Sequence, residues 1–260
     1  MGYEYIKLEI KDQIGIITLN RPKVWNALCA EVNYELADAL GKIHHDQSVR
    51  VLVLTGGDKV FAAGADVKGM QNATPFEAER TAYLGHMIND MLEALPIPVI
   101  AAVNGVALGG GCELTLACDF RVVGQNAKFG LPEVGLGILP GAGGTQRLTN
   151  LIGATKAKEM VMLGKNIKGE EAYHIGLATT VTEDALVMET AVKMAEKLKQ
   201  KPASALRMAK AAINYGENFG TGTGKDFEKL MFSLLFSTND HQEGLDAFVE
   251  KREAKFDHQR

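Results

Sequence analysis

VNGVALGGGCELTLACD, residues 103–119, sets three consecutive glycines directly before a cysteine, a glutamate and an apolar run. Glycine triplets are poor material for the interior of a strand or helix. The triplet therefore reads as a junction. Upstream, VIAAVNG has the pattern of a buried strand closing on a turn signal, and downstream the apolar run suits a helix. A strand that passes through glycines into a helix delivers unpaired backbone N–H groups to a cavity, with the positive end of the helix dipole behind them. Glycines also let a ligand approach that backbone closely. Such a junction suits an oxygen that becomes negative, either a phosphate or an enolate-type oxyanion. The phosphate motifs GxxxxGK[ST] and GxGxxG do not fit, because the glycines fall at 105, 109, 110 and 111. A second loop, FAAGAD at 61–66, also follows a strand and precedes a short helix. Each loop could aim one N–H at the same oxygen.

Working outward, YIKLEI alternates at period two and IGIITL is a short apolar run, with Asp12 and Gln13 between them as a hairpin turn. Residues 27–45 carry Ala27, Leu28, Val32, Leu36, Leu40 and Ile43 at helical spacing. VRVLVLTGG reads as a buried strand, residues 76–95 as a helix stopped by PIP, and FRVVG as a further strand. From about residue 141 onward the segments read as helices bounded by Gly or Pro. YGENFGTGTGK, residues 215–225, reads as a Gly/Thr-rich connecting loop. Strands alternating with helices, then helices alone, predict an α/β core over 1–200 and a helical region over 201–260.

Composition narrows the class. The 260 residues are 46% hydrophobic and 23% charged, with net charge −4, which advertises neither nucleic acid nor an anionic membrane. No run reaches the ~18 apolar residues of a membrane span. The N-terminus lacks the apolar core of a signal peptide, and Ile6 occupies the position where a myristoylation signal needs Ser or Thr. Cys29, Cys112 and Cys118 have no metal or redox spacing and read as reduced core residues of a cytoplasmic protein.

Two acids stand out. Glu113 falls in the first turn after the glycines, and Glu133 lies between Pro132 and a run of small residues. Two carboxyls near one water can divide acid and base duties if their surroundings separate their pKa values. Taken singly, each has a plainer meaning: a first-turn Glu complements the helix dipole, and a glycine triplet packs tightly. Asp66 reads as a helix cap, Asp119 and Arg121 as a structural ion pair or cap, and His44 and His45 as solvated.

NRPKVWNAL, FAAGAD, PVIAAVNGVALGGGCEL, FGLPEVGLGILPGAGGTQRL and AFVEKREAKF, in this order, resemble the enoyl-CoA hydratase, or crotonase, family over essentially the whole chain. The resemblance implies a fold of repeated ββα units with a C-terminal helical region that builds trimers, commonly paired into hexamers. It implies an acyl-CoA thioester as substrate and no cofactor beyond it, neither metal nor flavin. Matched position by position, Ala65 and Gly110 supply the N–H groups of the oxyanion hole. Glu113 and Glu133 are the catalytic pair, with Glu113 preferred as base. Gly141 helps hold the water, and Ala63 meets the adenine of CoA. Phe248 and Lys251 cover the CoA end, usually from a neighbouring subunit. Trp25 is bulkier than the Leu or Met expected there.

The implied reaction is reversible hydration of a short-chain trans-2-enoyl-CoA. A double-bond isomerase, for which one carboxylate suffices, is the alternative within the same fold. A silent CoA-binding scaffold is disfavoured by the intact pair of acids. RNA binding through the first helix is disfavoured by Glu31, Glu35 and Asp38 against a single Lys42.

Overall fold

Asp12 and Gln13 both take positive φ, 49° and 67°, which is the backbone of a tight turn matched to strand twist. They join β1 (Ile6–Lys11) to β2 (Ile14–Leu19) as an antiparallel hairpin. The computed structural model describes residues 2–257. Beyond the hairpin the sheet is parallel: β2, β3 (Val51–Thr55), β4 (Val99–Val103), β6 (Phe120–Gly124) and β9 (Thr180–Thr182) lie side by side in that order. β3 and β4 are buried at every residue, so their unbroken apolar sequence reflects cover on both faces.

The two covers differ. Val51, Val53, Ile100, Ala102 and Val122 pack against Val187, Ala191 and Ala195 of α6 (Val187–Lys199), three residues at four-residue spacing along one helix face. Leu52, Leu54, Val99, Ala101 and Val103 point the other way. They join a larger core with α1 (Ala30–His45) and α2 (Pro75–Ala94). α2 opens on a reciprocal cap: the Thr74 hydroxyl accepts from Glu77 N–H, and the Glu77 carboxylate accepts from Thr74 N–H at 2.8 Å.

After β4 the chain does not enter the helix directly. It turns at Gly105, φ 63°, where a Cβ would lie 2.0 Å from the Lys59 carbonyl oxygen. A short strand β5 (Val106–Leu108) follows, and only then α3 (Gly110–Leu116). β5 pairs with β7 (Lys128–Gly130), which pairs with β8 (Ile167–Lys168) in a second, three-stranded sheet. α4 (Gly144–Met162) breaks at Gly153, φ 77° and ψ 156°. α5 (Gly169–His174) links β8 to β9.

The C-terminal region contains α7 (Ala203–Phe219), α8 (Thr221–Leu235) and α9 (Asn239–Glu250). Here the expectation of a loop over 215–225 is corrected. The segment is helical on both sides of a single turn residue, Gly220. The glycines serve a close crossing: a Cβ on Gly224 would lie 2.8 Å from the Gly216 Cα, and Tyr215 stacks on Phe227 with centroids 4.4 Å apart. No helix among the described residues is long and apolar enough to cross a membrane.

Candidate active site

Asn26 organises the first loop. It is 2% exposed, and its Nδ2 donates to the carbonyls of Gly56 (3.0 Å), Val60 (3.2 Å) and Phe61 (3.0 Å). That ties the 20–28 segment to the start of FAAGAD. The two then run side by side. Ala63 N–H donates to Trp25 O at 3.0 Å, Leu28 N–H to Gly64 O at 2.8 Å, and Asp66 N–H to Leu28 O at 2.9 Å. In this parallel bridge Leu28 uses the groups on either side of Ala65. The N–H of Ala65 is thus left on the opposite edge.

On that edge lies the glycine triplet, whose members do different things. Gly109 takes φ 49°, and a Cβ there would sit 3.0 Å from Glu133 Oε1. Gly111 packs so closely that a Cβ would lie 2.3 Å from Ala62 O. Gly110 is the roomier one: a methyl placed on it would stand 3.6 Å from Ala65 N and 3.5 Å from Leu28 Cδ1. The two glycine-containing loops therefore meet at Ala65 and Gly110, where each can present a backbone N–H.

Glu113, in the first turn of α3, is 2% exposed. Its Oε1 accepts from Ala142 N at 2.7 Å and Gly144 N at 2.8 Å. Burial pushes its carboxyl upward, while those two amide bonds and the charges of His86 and Arg147 pull it back. Glu133 opens a 3-10 turn, Glu133–Leu136, and its Oε2 is buried without a hydrogen-bond partner among the described residues. Burial pushes it to about 7 against the downward pull of its own backbone N–H, and the charge of Glu113 adds a smaller rise. The two acids are electrostatic neighbours in unequal surroundings. Gly141 immediately precedes the Ala142 amide that binds Glu113, so it belongs to the same loop.

The remaining expected residues stand apart. Ala63 is exposed at the rim of the first loop. Phe248 is 82% exposed near the end of α9, and Lys251 caps that helix in a left-handed conformation, φ 56°. Trp25 is also left-handed, φ 55°, and exposed. Asp66 precedes the 3-10 turn Val67–Met70 but does not cap it; it pairs with Arg21 at 3.3 Å. Asp119 and Arg121 do not pair with each other through the bonds they make. Asp119 accepts from Val99 N and from Lys210, and Arg121 donates to the carbonyls of Thr115, Cys118 and Leu177. Cys112 and Cys118 are buried thiols, while Cys29 is half-buried at the start of α1. Of the acids on α1, Glu35 accepts the N–H groups of Glu4, Tyr5 and Ile6, so it anchors the hairpin. Among the described residues, no group of three or more His, Cys, Asp or Glu is placed to hold a metal ion.

Sequence reasoning passed over His86, Asn89 and Arg147, which surround the loop that binds Glu113. Asn89 and Arg147 both donate to Ala142 O, at 2.8 and 3.2 Å, and Arg147 is held by Asp90 and Glu93. Small residues at Ala82 and Gly85, in step with Asn89 along one helix face, were the available signal.

Residues 9–259 match the family described as enoyl-CoA hydratase/isomerase. The chain belongs to this family. This family member is 44% identical to the crotonyl-CoA hydratase of Syntrophomonas wolfei, over 98% of this chain and 99% of that one. It is 43% identical to the short-chain-enoyl-CoA hydratase of Clostridium acetobutylicum, over 97% of each. Its backbone superimposes on the crystal structure of enoyl-CoA hydratase from Bacillus anthracis with a TM-score of 0.94 at 40% identity, covering 98% of this chain and 100% of that one. The α/β crotonase fold expected from the sequence is the fold of this enoyl-CoA hydratase/isomerase family member.

Proposed function

We propose that this enzyme reversibly adds water to a short-chain trans-2-enoyl-CoA such as crotonyl-CoA, giving the 3-hydroxyacyl-CoA. The observation that carries the reading is the meeting of the two loops at Ala65 and Gly110, with Glu133 directly behind Gly109. As water adds at Cβ, negative charge builds on the thioester oxygen. The N–H groups of Ala65 and Gly110 take up that charge; losing one such donor typically costs about 2.7–4 kcal/mol. The Gly141 N–H helps hold the water. Glu113, with two amide donors on Oε1, is the carboxylate that takes the water's proton. Glu133, with a pKa of about 7, is the acid that supplies the proton to Cα; the proton held by Glu113 returns to Glu133 by way of solvent before the next turnover, and dehydration runs the same steps in reverse. No cofactor is needed beyond the CoA of the substrate.

Ala63 meets the adenine, and Phe248 and Lys251 cover the CoA end from a neighbouring subunit. Residues 201–260 accordingly serve assembly, as a trimer or a pair of trimers, and the enzyme works in the cytoplasm. Names of relatives with long alignments support the substrate class.

The test is loss of the enoyl-thioester absorbance of crotonyl-CoA, followed for the wild type, Glu113→Gln and Glu133→Gln. Each substitution should lower kcat at least about 100-fold and leave KM nearly unchanged. Consumption of a 3-enoyl-CoA with crotonyl-CoA untouched would instead identify a double-bond isomerase.

A further inference from the structure

Asn89 is 2% exposed on α2, and its Nδ2 donates to Ala142 O at 2.8 Å. That carbonyl belongs to the peptide between residues 142 and 143. The peptides on either side of it supply the two N–H groups, of Ala142 and Gly144, that bind Glu113 Oε1. Arg147 donates to the same carbonyl at 3.2 Å and is itself fixed by Glu93, at 3.0 and 2.7 Å, and by Asp90 at 2.7 Å. α2 makes room for this loop: a Cβ on Gly85 would lie 2.8 Å from the Ala142 Cβ, and one on Gly141 would lie 3.8 Å from that of Ala82.

We infer that Asn89 is a positioning residue, which holds the 142–143 peptide so that both neighbouring amides stay aimed at Glu113. The inference rests on Glu113 being the base of the proposed reaction. Rotation of the 142–143 peptide would turn one or both donors away from the carboxylate. A carboxylate that loses amide donors holds its proton more tightly. The charged and titratable groups facing Glu113 are His86 from α2, Arg147 from α4, Glu133 from the 3-10 turn and Cys112 from α3 itself. Asp90 and Glu93 are already engaged by Arg147.

The chemistry of residue 89 is also specific. Its partner is a carbonyl, so a donor is required. An Asp would present only acceptors and add a negative charge.

The experiment measures kcat and KM for crotonyl-CoA across pH for Asn89→Ala and Gly85→Ala, beside Glu113→Gln. Gly85→Ala pushes the same loop from α2 without touching Asn89, and alanine favours the helix it sits in. Both variants should lose about 10- to 100-fold in kcat, the scale expected when a catalytic group is misplaced. KM should stay within about two-fold, and the acid limb of the kcat profile should move to higher pH. A residue that merely supported folding would lower thermal stability and active fraction and leave that limb in place. An unmoved limb in folded Asn89→Ala, with Glu113→Gln inactive, would overturn this inference alone. Should Asn89→Ala not fold, the limb of Gly85→Ala decides in the same way. Full turnover by Glu113→Gln would overturn the assignment of the base, and this inference with it.

Discussion

With its carboxyl pushed up to about 7, Glu133 titrates across the neutral range, and this has a thermodynamic sign. In the unfolded chain an ordinary Glu titrates near 4.3. Between that value and about 7 the folded state binds more protons than the unfolded one. The stabilising contribution is therefore complete below the unfolded pKa and is lost as pH rises through about 7. Glu133→Gln, which cannot ionise, should melt above the wild type at pH 8 and approach it toward pH 4. Thermal unfolding in buffers spanning that range checks the order, and a shift of roughly 2–4 °C is expected per kcal/mol for a chain this size. Under the proposed reaction, that stability penalty accompanies the use of Glu133 as the acid. Glu113 and Glu133 stood out in the sequence through the family pattern around them, since the glycine triplet and the Pro-flanked run each have a plainer meaning when taken singly. Asn89 and Arg147 were not singled out, because the group they serve is a backbone carbonyl, which leaves no mark on its own residue; only the small residues Ala82 and Gly85 hint at the loop packed there.

At the scale of elements, apolar periodicity carried most of the reading. α1, α2 and the buried strands fell close to their expected places because each buries a stripe or a run that has few alternatives. β5 escaped notice because three residues between a Gly turn and the triplet are too few to show a period. The 215–225 segment was misread for a different reason. Gly and Thr normally mark a loop, but here Gly216 and Gly224 let two helices touch backbone to backbone. This makes a signed prediction. In an unconstrained helix, Gly→Ala stabilises by up to about 1 kcal/mol. Gly224→Ala should instead destabilise by roughly 1–3 kcal/mol, the usual cost of overpacking, measured as a lower denaturation midpoint. A gain in stability would mean that the crossing can open freely.

For the whole molecule, the informative feature is the apolar surface left exposed along α8, at its C-terminal end and on α9. Leu230, Phe232, Phe236, Phe248 and Val249 are all exposed there, a concentration that an isolated chain in water rarely keeps uncovered. Sedimentation should find the wild type as a multiple of its 28.0 kDa mass, and Phe232→Asp should shift the distribution toward smaller species. A wild type that sediments as a single chain would refute the assembly. α7 and α8 are joined through one residue, Gly220, and meet at a contact with no room for a carbon on Gly224. A joint built that way leaves no slack between the two helices: α8 cannot part from α7 without lifting Gly224 off Gly216, so the pair moves as one piece.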